Sequence, residues 1–240
     1  MIRIAMWSGP RNLSTAMMYS FGARGDCAVV DEPFYAAYLA QTGLDHPMRD
    51  EVLAAQPQDP EAVIAGLIAD QGRPVFYQKH MTHHMLPTIP RDWMRDCVNV
   101  FLIRHPARVV ASYAQKREGP ELDDLGFRQQ AELLDRVQGW GQRSIVIDSA
   151  DIRVNPEPAL TALCTAIGIP FDPAMLNWPA GGHRNDGVWA RHWYGAVHQS
   201  TGFDGPEGPL PELTGRYAAL VEEAMPFYQR LRESTVQPVS

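Results

Sequence analysis

An α/β fold with a doubly wound, mainly parallel five-stranded sheet flanked by helices is predicted by three features of the sequence. Five short apolar runs cross it, most of them continuous rather than alternating, as strands covered on both faces require. Helical patterns lie between or after these runs, the alternation expected of a parallel sheet. Two of the runs pass almost directly into a helix through a junction that carries an arginine, Arg11 in one and Arg104 in the other.

The strands are expected at Ile2–Trp7, Ala28–Asp31, Pro74–Lys79, Val98–Ile103 and Ser144–Ile147. Helices are expected over Ser14–Phe21, Glu61–Ala69, Ala107–Gln115, Phe127–Gly139 and Pro158–Ile167, with a last one over Glu212–Glu233 kinked at Pro226. Two segments interrupt the alternation. Ala36–Asp59 is polar and broken by prolines, which suits a lid or wall. Gly181–Gly208 holds seven glycines beside Trp189, His192, Trp193, Tyr194 and His198. A long glycine-rich loop with aromatics inside a compact domain is more often functional than idle. With no internal repeat and no linker, residues 1–240 are expected to form one domain, long enough to bury a sizeable core.

Composition narrows the function classes. The formal charge is −7 and no Lys/Arg run occurs, which counts against a protein that tracks a nucleic-acid backbone. Small anions stay open, since local donors hold them. Cys27, Cys97 and Cys164 are far apart and odd in number, so they read as reduced thiols. The apolar start, Met1 to Trp7, is too short for a signal peptide, and no stretch is long enough to span a bilayer. A cytoplasmic protein is expected.

The first junction is Ser8-Gly9-Pro10-Arg11-Asn12-Leu13-Ser14-Thr15. A strand–loop–helix turn leaves backbone N–H groups unpaired at the helix start, where the helix dipole adds positive charge. Ser14 and Thr15 add hydroxyls, and Arg11 adds a planar fork suited to phosphate or sulfate oxygens. A Walker loop, GxxxxGK[ST], fails here: aligned at Thr15, it meets Ser8, Leu13 and Ser14 at its two glycines and its lysine. Taken alone the loop is either an anion site or a plain turn capped by Asn12 or Ser14.

In the second junction, Val98 to Ile103 leads into Arg104-His105-Pro106-Ala107-Arg108-Val109-Val110-Ala111-Ser112. Pro106 suits a first helical position. Arg104 would emerge at the carboxyl edge of the sheet, where open α/β folds bind ligands. Ser112 follows six residues after Pro106, roughly 9 Å along a helix. Two separate anion contacts suit a nucleotide with a phosphate at each end of its ribose.

This second stretch resembles the 3′-phosphate motif of the sulfotransferases that use 3′-phosphoadenosine 5′-phosphosulfate. Pro10-Arg11-Asn12-Leu13-Ser14-Thr15 is similar to that family's 5′-phosphosulfate loop, Pro-Lys/Arg-Ser-Gly-Thr-Thr. Ser144–Ile169 resembles the family's following strand and capped helix, and Arg184-Asn185-Asp186-Gly187-Val188-Trp189 is loosely similar to its late Arg-Lys-Gly loop. Leu13 departs from the usual glycine, and Asn185 stands where the late loop has lysine.

The resemblance implies a P-loop-type nucleotide-binding fold and transfer of a sulfuryl group to a hydroxyl or amine of a small-molecule acceptor, with adenosine 3′,5′-bisphosphate as product and no metal required. It implies that Arg11 stabilises the leaving oxygen, that Asn12, Leu13, Ser14 and Thr15 hold the 5′-phosphosulfate, and that Arg104 and Ser112, with Arg184, hold the 3′-phosphate. No membrane or nucleic-acid partner is expected. Two bases are candidates. Glu32, after the second strand, resembles the Glu-Pro beside the acceptor in some sulfotransferases, and Asp31 would orient it or pair with Arg11. His80 ends the third strand where others carry Lys-Thr-His, one residue out of step, and histidine is the easier base near neutral pH. Glu32 is the closer match.

His80, His83 and His84 also resemble a zinc set, but Pro87 and Pro90 follow and no acidic ligand stands near. Trp189, Trp193 and Tyr194 suit either stacking on a ligand or plain packing, while Arg108, Arg117 and Arg128 read as surface charges. Two other readings remain open: a kinase-like phosphotransferase with Asp148 as the magnesium-binding carboxylate, and a nucleotide-binding protein without catalysis.

Overall fold

The computed structural model describes residues 1–115 and 119–235; Arg117 lies outside them. Five strands form one sheet: β1 (Ile2–Ser8), β2 (Cys27–Asp31), β3 (Val75–Met81), β4 (Val98–Ile103) and β5 (Ser144–Asp148). Their order is β2-β3-β1-β4-β5, and every pairing is parallel. The helices are α1 (Ser14–Gly22), α2 (Tyr35–Thr42), α3 (Arg49–Ala55), α4 (Pro60–Ile68), α5 (Pro106–Ala114), α6 (Leu122–Leu125), α7 (Phe127–Gly139), α8 (Ser149–Val154), α9 (Pro156–Ile167), α10 (Ala190–Trp193), α11 (Gly195–His198) and α12 (Gly215–Arg232). The last runs on through Pro226.

Alternation along the strands divides the core into two layers. Ile4 and Met6 of β1, with Val100 and Leu102 of β4, pack against α1 and α9 through Met17, Phe21, Leu160 and Leu163. Ala5, Trp7, Phe101 and Ile103 face the other way, onto α4, α5, α7 and α12. Helices therefore cover both faces, which is why most strands read as continuous apolar runs.

One expectation needs correcting. Ala36–Asp59 is not merely a polar interruption: α2 and α3 lie in it, and Tyr35, Ala36, Tyr38, Leu39 and Val52 form a third apolar cluster with Trp189 and Tyr194. The short run Tyr-Ala-Ala-Tyr-Leu is diluted by the polar stretch that follows, so composition over the whole window hides it.

The chain leaves β1 for the sheet's far edge and returns on either side of it, so β1 lies between β3 and β4. Such a switch point opens a crevice at the carboxyl ends of the strands. Its floor is tightly built. Gln130 Nε2, fully buried on α7, donates to the carbonyls of Trp7 at 3.0 Å and Leu102 at 2.9 Å, tying together two strand ends, and Asn12 Nδ2 donates to the same Leu102 carbonyl at 3.3 Å. Gly9 passes so close to α6 that an added Cβ would lie 2.1 Å from the Leu125 carbonyl oxygen.

Candidate active site

The crevice holds a cleft of about 330 Å³ lined on one side by residues 10–16 and by Arg104, Ser112 and Arg153, and on the other by Glu32, Tyr35, Lys79 and Tyr194. Eight of the sequence-predicted residues thus meet in one place: Arg11, Asn12, Leu13, Ser14, Thr15, Glu32, Arg104 and Ser112.

The turn after β1 bends through left-handed backbone at Arg11 (φ 61°) and Leu13 (φ 70°). Leu13 is the N-cap of α1 and takes the conformation that a glycine there would adopt. Its side chain packs at the edge of the α1 layer, so the departure from glycine is accommodated by the backbone. Ser14 and Thr15 open the helix and face the cleft.

The two arginine junctions touch. Arg11 Nε donates to Ser112 Oγ at 2.9 Å, and Arg104 Nη1 donates to the Arg11 carbonyl at 2.6 Å. The anion contacts are therefore contiguous rather than separate. Burial, and then the neighbouring Arg104, lower the Arg11 pKa from its ordinary value. A pair of cations pressed together in this way favours an anion between them. Arg104 also pairs with Glu207, a residue far along the chain.

Opposite lies a buried cluster set by strand register. Asp31 on β2 stands beside Lys79 on β3. Lys79 Nζ donates to Asp31 Oδ1 at 2.8 Å, Glu32 Oε1 at 2.6 Å and the Tyr194 hydroxyl at 2.5 Å. Tyr194 lies within 3.1 Å of both carboxylates, and the Gly187 N–H donates to Asp31 Oδ2 at 3.1 Å. Asp31 therefore pairs with Lys79, not Arg11. Glu32 has left-handed backbone (φ 39°), which turns its carboxylate inward at the strand end.

One ammonium thus sits between two carboxylates in a buried cluster at the cleft edge. Burial raises the Glu32 pKa, and Asp31 adds to the rise against the pull of Lys79. Burial works against the Lys79 charge too, but the two carboxylates outweigh it and raise its pKa. Tyr194 is held well above its ordinary value by burial and the same two carboxylates, so it stays a donor.

His80 lies elsewhere. It pairs in register with Trp7, whose side chain faces the α5–α7 layer, and the two rings stack at 4.4 Å. Its neighbour Lys79 points to the cleft, and successive strand residues point to opposite faces. His80 does not line the cleft, and burial pushes its pKa down to about 3. His84 stacks on Tyr35 at 4.7 Å and Tyr38 at 4.8 Å, so the three histidines are spread over core and cleft wall.

Arg184 is exposed and outside the cleft lining. Its loop braces the site instead: Asp186 accepts from the Tyr19 hydroxyl of α1 at 2.5 Å and from the His183 N–H at 3.0 Å, and pairs with His198 at 3.1 Å. Trp189 is buried packing, and its Nε1 donates to the Tyr194 hydroxyl at 2.9 Å, while Trp193 and Tyr194 line the cleft. Arg108 is no surface charge, being half-buried against Glu207 at 3.2 Å; Arg128 is exposed and pairs with Asp123. Asp148 caps α8 and accepts from the Tyr228 hydroxyl at 2.8 Å, away from this cleft. Lys79, Arg153 and Glu207 escaped sequence reasoning, and Tyr194 was singled out as an aromatic but not as a hydrogen-bond partner of Glu32. The two-residue period of β3 would have separated Lys79 from His80; the others are brought in by distant chain.

A cationic cradle at two strand–helix junctions, facing a buried carboxylate across one cleft, suits the transfer of an anionic group. The chain belongs to the sulfotransferase-domain family, whose model matches residues 2–235. Two curated Arabidopsis thaliana relatives, branched-chain-amino-acid aminotransferase-like proteins 1 and 2, are 38% and 35% identical over 230 residues, or 95% of this chain. The chain spans only 41% of the length of each. Among solved structures, the sulfotransferase domain of the Synechococcus PCC 7002 olefin synthase matches with a TM-score of 0.57 at 19% identity, covering 95% of this chain and 93% of that one. A sulfotransferase from Alicyclobacillus acidocaldarius gives 0.55 at 10% identity, covering 97% and 95%. At such identities the likeness concerns the fold. Among the described residues no helix is long and apolar enough to cross a membrane.

Proposed function

We propose that the chain moves a sulfuryl group from 3′-phosphoadenosine 5′-phosphosulfate to a hydroxyl or amine of a small-molecule acceptor held in the cleft. The observation that carries this reading is the meeting of Arg11, Ser14, Thr15, Arg104 and Ser112 at one end of a single cleft with Glu32 at the other. The donor set fits a doubly phosphorylated nucleotide: two guanidinium groups, the first turn of α1, and a buried Arg104 Nε with no hydrogen-bond partner among the described residues.

In this reading the donor is a substrate that supplies the sulfuryl group. Arg11 neutralises the charge that grows on the leaving phosphate oxygen, and Ser14 and Thr15 orient its neighbours. Glu32 takes the proton from the acceptor atom as that atom bonds to sulfur. Lys79 and Tyr194 fix the Glu32 carboxylate, and Tyr35, Trp193 and Tyr194 wall the acceptor's side. Most of the rate comes from positioning and charge, as in phosphoryl transfer.

Calorimetric titration tests the donor. Adenosine 3′,5′-bisphosphate should bind far more tightly than AMP or magnesium ATP. Arg104→Ala should weaken it by on the order of 100-fold, the loss of charge-assisted hydrogen bonds worth about 3 kcal/mol. Preference for magnesium ATP would replace the reading with a phosphotransferase.

The base is tested by bisphosphate release over a panel of small alcohols, phenols and amines. Glu32 must be ionised to accept a proton and its pKa is raised, so the rate should climb with pH through a limb above about 4.3, the ordinary glutamate value. Glu32→Gln should remove that limb and cut kcat by roughly 10²–10⁴. His80→Phe should stay within about tenfold and keep the limb; a lost limb there would move the base to His80.

A further inference from the structure

Between the Gly202 bridge and α12 the chain runs without helix or strand, and from residue 204 to 210 every residue is exposed except Glu207. The Glu207 side chain, 9% exposed, enters between two arginines of the second junction. It pairs with Arg104 through one oxygen and with Arg108 Nε through the other at 3.2 Å, the second an ion pair rather than an aligned hydrogen bond. Arg108 also donates to the Gly208 carbonyl. Just upstream, Arg153 of α8 donates to the Gly205 carbonyl at 3.2 Å and pairs with Asp204 at 3.4 Å. Residues 204–208 thus form a strap held by three arginines. Arg104 and Arg153 line the cleft, and Arg108 does not.

Arg104 is the pivot. One of its nitrogens holds the Arg11 carbonyl and another holds Glu207. A phosphate arriving at that guanidinium meets a carboxylate already there. Both anions take the same planar fork, but a phosphate monoester carries about −1.5 to −2 charges near neutral pH against −1 for the carboxylate. Next to two arginines the phosphate wins the exchange, and the displaced carboxylate belongs to a strap with no other buried side chain.

We propose that Glu207 regulates occupancy of the nucleotide site: its carboxylate is an internal competitor for the 3′-phosphate position, displaced from Arg104 only by a nucleotide that carries a second phosphate on the ribose. The inference rests on the nucleotide reading above and adds a carboxylate that the second phosphate must displace, which holds bisphosphate affinity down and leaves AMP affinity alone. A 5′-monophosphate occupies the α1 end and leaves the strap closed. A 3′,5′-bisphosphate releases residues 204–208.

The test is calorimetric titration of adenosine 3′,5′-bisphosphate and AMP into wild type, Glu207→Gln, and Glu207→Gln combined with Arg104→Ala. Glu207→Gln should bind the bisphosphate about tenfold more tightly and AMP unchanged, and the gain should vanish when Arg104 is also removed. Hydrogen exchange gives a second readout: the bisphosphate, but not AMP, should speed amide exchange across 204–210 in wild type. Wild-type binding with no gain in Glu207→Gln, an equal gain for AMP, or an unchanged strap would overturn the role of Glu207 and leave the donor assignment standing. Failure of wild type and Glu207→Gln alike to bind the bisphosphate would overturn the two together.

Discussion

Arg11→Ala is expected to slow sulfuryl transfer by roughly 10³–10⁵-fold, the range for a lone guanidinium that stabilises a transferring anionic group. The size follows from its surroundings. Arg11 is held by Ser112 at 2.9 Å and by Arg104 through its own carbonyl, so its charge needs little reorganisation as the leaving oxygen becomes an anion. In the proposed binding mode much of the loss should fall on kcat, because Arg104, Ser14 and Thr15 would be left to grip the nucleotide. Arg11→Lys restores a charge but not the fork, and should recover only part of the rate. Bisphosphate release, with KM for the donor measured in parallel, checks the split. An equal loss in both variants with KM alone affected would make Arg11 a binding group only.

Lys79→Met should have the largest effect on stability. Lys79 is 1% exposed and its ammonium sits 2.8 Å from Asp31 and 2.6 Å from Glu32. Removing one partner of a buried ion pair costs about 3–5 kcal/mol, and here two carboxylates are left facing each other. For a chain of this size the loss corresponds to a fall in Tm of about 6–20 °C. The sign of the pH dependence follows. Without the ammonium, burial and mutual repulsion raise a carboxylate pKa in the folded state further above its unfolded value of about 4. The variant's deficit should be small near pH 4, where the shared proton is retained, and should grow as pH rises through the raised pKa toward neutrality. Thermal unfolding of both proteins from pH 4 to 8 measures this, and a deficit independent of pH would show that lost packing, not charge, is responsible. The acidic limb of the rate should move upward by the same logic.

The sheet was legible because most of its strands are near-continuous apolar runs, a pattern that reports burial on both faces whatever the partner. Both arginine junctions of the cleft were legible because strand, loop and helix start are contiguous in sequence. His80 misled because a motif read as letters ignores the face each letter takes; Trp7 in the neighbouring strand decides that His80 stacks in the core. Arg108 looked exposed because its partner Glu207 lies 99 positions away, beyond any local pattern. Arg184 fell outside the cleft because Asp186, two residues on, anchors that loop to α1. Local periodicity carries the scaffold, whereas pairings between distant segments carry the chemistry.

The three left-handed residues of the cleft, Arg11, Leu13 and Glu32, bear on any attempt to make this protein heat-tolerant. Each holds a backbone shape that disfavours side chains by on the order of 1–2 kcal/mol. Glycine at any of them would relax the chain. A screen that ranks variants by melting temperature alone would therefore be drawn to these positions, and would strip away the guanidinium and the carboxylate while reporting improvement. Selection for turnover pulls the same positions the other way, so robustness in this molecule has to be sought away from the carboxyl ends of β1 and β2.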